Sequence, residues 1–135
     1  MTRAILLAVL VVSACASGPA PPAKVALGED ACAHCRMTVV SQSTAAQIAR
    51  RGEEPVFFDE VGCLRDYLGG HTTPADAVIY VADHRTGEWV NARTAVFTKT
   101  STSTPMGSGL LAHADAVSRD ADPAAAGGSA AVVQP

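Results

Sequence analysis

The stretch that most constrains this chain is Cys32-Ala33-His34-Cys35-Arg36-Met37. Two thiols, an imidazole and a thioether fall within six residues, in a chain otherwise rich in alanine and small polar residues. Thiolate and thioether sulfur prefer soft metal ions, Cu(I) above all. Cys-x-x-Cys alone is ambiguous, since it also serves zinc knuckles and thiol redox sites. Met37 narrows the choice. If the chain runs as a strand from Cys35, side chains alternate between faces, and Cys35 and Met37 project on one side, about 6 to 7 Å apart. The simpler alternative makes Met37 the first core residue of a strand Met37-Thr38-Val39-Val40.

The N-terminus bounds what can fold. Arg3 supplies a positive start and residues 4–12 an apolar run too short to span a bilayer, the pattern of an export signal. Val12-Ser13-Ala14-Cys15 resembles a bacterial lipobox. Residues 1–14 are then a lipoprotein signal peptide, and Cys15 is the lipidated N-terminus. Residues 15–28 read as a flexible tether, rich in proline and alanine. The expected location is the cell envelope, lipid-anchored and facing the periplasm. Ala16 after the lipidated Cys favours the outer membrane, by resemblance to enterobacterial sorting signals. The alternative is a soluble exported protein with a free Cys15.

With 135 residues and a formal charge of −3, the remainder, 29–135, makes one small domain. No basic patch marks it as a nucleic-acid binder. Alternating apolar runs predict strands over 45–49, 56–58, 77–83, 88–92, 95–98 and 110–113. Asp59 is the expected N-cap of a helix over 60–68, whose Val61, Leu64 and Leu68 share one face, with Gly69-Gly70 ending it. A short helix over 115–120 and a last strand over 130–133 follow, with 123–135 weakly structured. The order of elements suggests a repeat: two strands, a helix and a strand, twice, in one α+β core. Trp89 is expected to anchor that core.

Four further positions matter. Met106, flanked by Pro105 and Gly107, is not a typical core residue, and the glycines let backbone approach something closely. It is a stronger ligand candidate than Met37. Cys63 on the helix reads first as core packing, since free Cys is among the most buried residues; a second ligand or redox partner is the other reading. His34 is more often an exposed turn residue than a ligand. His71 and His113 are weaker candidates still.

Taken together, Cys32-x-x-Cys35-x-Met37, Phe58-Asp59-Glu60-Val61-Gly62-Cys63, Tyr80-Val81-Ala82-Asp83, Glu88-Trp89-Val90-Asn91-Ala92 and Thr104-Pro105-Met106-Gly107-Ser108-Gly109, in this order behind a lipobox, resemble the NosL family of copper lipoproteins. The resemblance implies two tandem ββαβ units, similar to the organomercurial lyase fold. It also implies a non-enzymatic Cu(I) carrier that serves the copper centres of nitrous oxide reductase, with that enzyme or its assembly proteins as partner. Carried over, the metal sits between Cys35 and Met106; Cys32, Met37 and His34 are the reserve candidates for a third ligand. Arg36 stands where the family usually has glycine, and a cation there favours the thiolate form of its neighbours.

Three rival classes remain open. Cys32 and Cys35 could cycle as dithiol and disulfide in the oxidising envelope, although no thioredoxin-like βαβ pattern surrounds them. Cys32, Cys35, Cys63 and His34 could close a structural zinc site, which wants four ligands. Carbon–mercury cleavage would rest on fold analogy alone, and fold does not carry function.

Overall fold

A computed structural model describes residues 18–135. The signal peptide, the lipobox and Cys15 lie outside the described residues. The elements run β1 (Ala46–Ala49), β2 (Val56–Phe58), α1 (Val61–Gly70), β3 (Val78–Ala82), β4 (Trp89–Asn91), β5 (Val96–Lys99), β6 (Leu110–His113), α2 (Ala116–Asp120) and β7 (Ser129–Ala131).

The fold is α+β, with the duplication expected from element order. The first sheet runs β2-β1-β3-β4 and the second β6-β5-β7, all pairs antiparallel. In each half the first strand is central, flanked by its hairpin partner and by the strand that returns after the helix. β4 extends the first sheet and leads into the second unit.

Burial follows from strand alternation. Side chains along a strand face opposite sides. Ala46 and Ile48 of β1, Phe58 of β2 and Ile79 and Val81 of β3 point into the main core with Val61 and Leu64 of α1 and Phe97, Leu110 and Ala112 of the second unit. On the other face, Phe57 joins Val25, Val39 and Ala45, with Trp89 packed against them half-buried. Trp89 thus belongs to the outer cluster rather than the main core. With both faces covered, all four residues of β1 are buried.

What covers the outer face is the N-terminal segment itself. The Gln47 amide donates to the carbonyl of Ala23 and accepts its N–H, at 2.9 and 2.8 Å. The Tyr80 hydroxyl donates to Ala20, and the Arg51 guanidinium to Gly18 and Pro19. From Gly18 onward, then, the stretch expected to act as tether is extended but docked. Proline lacks an N–H, so such a strap offers mostly carbonyls, and polar side chains of the sheet donate to them.

The two units are tied by Asp83 and His84 at the end of β3. The Asp83 carboxylate accepts the N–H of Ala114, Arg85 and Thr86, while the His84 N–H donates to Ala112. Asp83 is buried, and burial alone would raise its pKa. The donors of Ala114, Ser118, Thr86 and Arg85 outweigh that and hold it at about 2.

Two local expectations are corrected. Residues 37–40 form no strand, only one bridge from Thr38 to Ala31. The helix cap is Glu60, not Asp59: the Asp59 side chain instead accepts the Val40 N–H at 3.1 Å.

Candidate metal centre

Residues 32–37 close a tight loop. Arg36 N–H donates to the Cys32 carbonyl and Cys32 N–H to that of Met37, at 2.9 and 2.7 Å. Closing it requires Arg36 at φ 68°, the one left-handed residue among the described residues that is not glycine. That conformation costs a side-chain-bearing residue about 1–2 kcal/mol. Glycine at this position would adopt the same left-handed conformation without that strain. The loop also replaces the strand alternation expected to set Cys35 and Met37 side by side.

The loop is anchored at the β2 end of the first sheet, where Ala33 N–H donates to the Phe57 carbonyl. There Cys32 and Cys35 meet Cys63, in the first turn of α1. The three sulfurs all lie within 4.8 Å of one another, and none forms a disulfide. Cys32 and Cys63 are buried, while Cys35 is half-buried and opens toward solvent. Cys63 is thus a packing residue and a member of the sulfur cluster at once. Sequence reasoning ranked it below Cys35 because a thiol on a helix's buried stripe looks the same in either role.

The electrostatics differ among the three. Burial acts to raise the Cys32 thiol, but the backbone N–H groups of Asp59, Cys35 and His34 outweigh it and lower its pKa. Hydrogen bonds to the charged form favour that form. Cys35 is raised, chiefly by burial, with the Met37 N–H opposing and Cys32 adding to the rise. Cys63 is pushed up strongly by burial and then by Cys32 and Cys35. The site therefore eases ionisation of one thiol, Cys32, and opposes it at the other two.

The Met106 bend reaches the same end of the molecule. Its backbone N–H donates to Glu60 Oε2 at 3.0 Å, and Glu60 caps the helix that bears Cys63. Glu60 is buried. Gly62 permits the approach: a Cβ there would stand 2.4 Å from the Ser108 side chain and 2.5 Å from Glu60 Oε1. Met106 and Met37 are 49% and 58% exposed. Glu60, Gly62 and Ser108 were not singled out from sequence; only the glycines around Met106 hinted at a close approach.

His34 is exposed and outside the sulfur cluster, so among the described residues the four-ligand zinc set is not assembled. His71 stacks on Tyr67, its ring centroid 3.8 Å away. His113 belongs to a second group with His84 and Asp122. Both imidazoles bond Asp122 Oδ2, from His84 Nδ1 at 2.6 Å and His113 Nε2 at 2.9 Å. A metal-bound imidazole donates its other N–H to a partner. His113 Nδ1 is sealed from solvent with no partner, which suits a bare lone pair and a proton on Nε2. This group is a hydrogen-bonded tie between the β3–β4 turn and the C-terminal segment.

Three clustered sulfurs with a half-open side fit a soft metal ion. No curated protein and no solved structure matches the chain. A family model, NosL, matches residues 24–133, nearly all of the described chain. The chain therefore belongs to the NosL family, a membership that with the Cys32–Cys35–Cys63 cluster supports a copper-binding role.

Proposed function

We propose that this protein is a Cu(I) metallochaperone, anchored in the envelope by acyl chains on Cys15 and delivering copper to a periplasmic enzyme. Maturation of nitrous oxide reductase is the destination that family membership favours. The observation that carries the reading is the meeting of three sulfurs within 4.8 Å, one of them biased toward the thiolate.

In this reading Cys32 and Cys35 hold the ion with Cys63 beneath, and Met106 and Met37 supply neutral thioether ligands on the open side. Cu(I) is the cargo. A site with few, partly exposed ligands lets an incoming donor bind before an outgoing one leaves. Transfer is then stepwise exchange, without stripping a closed shell. The protein acts as a carrier rather than a catalyst.

The test is anaerobic Cu(I) titration against a competing chelator, on wild type, Cys32→Ser, Cys35→Ser, Cys63→Ser and Met106→Ala. Tight one-to-one binding, weakened in the cysteine variants and in Met106→Ala, supports the site. Preference for zinc, or indifference to Met106, overturns it. Copper transfer from the loaded protein to metal-free nitrous oxide reductase tests the destination.

A further inference from the structure

We infer that the domain sits on the bilayer in one orientation, with its Gly18–Arg51 end against the lipid headgroups and its thiols at the far end. The inference rests on the lipid reading of Cys15 proposed above.

Leash length decides the matter. The folded strap begins at Gly18, where the Arg51 guanidinium donates to the carbonyls of Gly18 and Pro19 at 2.6 and 3.2 Å. Tyr80 and Gln47 hold Ala20 and Ala23 farther along. Only two residues, Ala16 and Ser17, separate Cys15 from Gly18, a span of at most about 11 Å. A free tether through residue 28 would instead wander about 20 Å on average and leave the domain free to turn. With the strap docked, the domain's attachment point lies within a headgroup layer's depth of the acylated residue.

That point is at one end of the first sheet. Gly18 and Pro19 share a shallow concavity with Ala75, Asp76 and Arg93, beside the β1–β2 turn. The Cys32 sulfur is engaged by the Asp59 N–H at the other end of the same sheet. The full length of β1, about 13 Å of strand, separates the two. The copper mouth, with exposed Met37 and Met106, therefore faces away from the membrane. It is presented to a partner arriving through the aqueous phase, not one diffusing in the bilayer plane.

The experiment uses the full chain, processed in a bacterial host and reconstituted into phosphatidylethanolamine–phosphatidylglycerol vesicles carrying a photoactivatable headgroup lipid. Crosslinked residues are read by mass spectrometry. The expected result is acylated Cys15, flotation with the vesicles, and crosslinks at residues 50–54, 74–78 and 91–93, with none at 35–37 or 104–108. Inserting fifteen Gly/Ser residues between Ser17 and Gly18 leaves the folded domain unaltered and should abolish that bias. An acylated, floating protein that crosslinks equally at 35–37 and 104–108 overturns the orientation alone. A protein without acylated Cys15 that does not float overturns the lipid reading and the orientation with it.

Discussion

The backbone N–H of Met106 ends on the carboxylate of Glu60, 3.0 Å from Oε2. The residue at the N-cap position of the helix that carries Cys63 thus spends its buried side chain on pinning the bend that carries a thioether. Replacing Glu60 with alanine should leave the Met106 N–H without its acceptor and release the bend. Such losses cost about 1–3 kcal/mol. In the proposed site, Cu(I) affinity falls in Glu60→Ala while the thiol count stays at three, which chelator competition and thiol titration would register together.

Gly62→Ala should act on the same contact from the other side. The new methyl meets Ser108 and Glu60 within 2.6 Å, closer than any packed carbon tolerates, so the 104–108 loop must move. Overpacking of this kind destabilises by about 1–3 kcal/mol. A lower melting temperature, with Cu(I) affinity reduced toward that of Met106→Ala, is the expected outcome.

Arg36→Gly should stabilise the protein. Its φ of 68° is one that glycine adopts without strain. The expected gain is up to about 1 kcal/mol, since glycine also loses more freedom on folding. Denaturant unfolding measures it. Cu(I) stoichiometry should not change, because the loop is already closed in the wild type.

Cu(I) affinity should rise with pH. The Cys63 thiol is pushed up, chiefly by burial, so it enters the neutral range protonated and must release its proton to bind metal. Affinity then climbs about tenfold per pH unit for each proton released. Titrations between about pH 6 and 8 should show a steeper slope in wild type than in Cys63→Ser, by about one proton. Equal slopes would remove Cys63 from the ligand set.

Asp83→Asn should weaken the joint between the two units. The native carboxyl is held at about 2, below its ordinary 3.8. A depressed carboxyl contributes stability that is present above the ordinary value and lost as pH falls through the native one. The contribution is about 2 kcal/mol at neutral pH. The variant should be less stable at pH 7, and its stability should decline less between about pH 4 and 2.

Much of the fold is legible because burial writes itself into composition. The continuous apolar run Val78–Ala82 is a central partner of β1, as its pattern demands. Asp115 caps α2 through the Ser118 N–H. What escapes is what depends on a distant partner. Asp59 and Glu60 are adjacent carboxylates, and nothing local says that Val40 claims the first and Met106 the second. Residues 37–40 have the alternation of a strand, but left-handed Arg36 turns them out of one. The Pro/Ala strap reads as linker because its fixings, Gln47 and Tyr80, belong to other segments. Cys63 presents the same difficulty at the site itself: its role is decided by two sulfurs about thirty residues upstream.

The repeated strand order has a consequence for how such a site could be lost. All three thiols reside in the first copy of the repeat, whereas Met106 hangs from the β5–β6 hairpin of the second. In the proposed site, neither copy supplies the full ligand set alone. Loosening the seam between them would dismantle the shared mouth while each sheet kept its strands, so ion retention should report on the docking of two half-proteins sooner than on the unfolding of either.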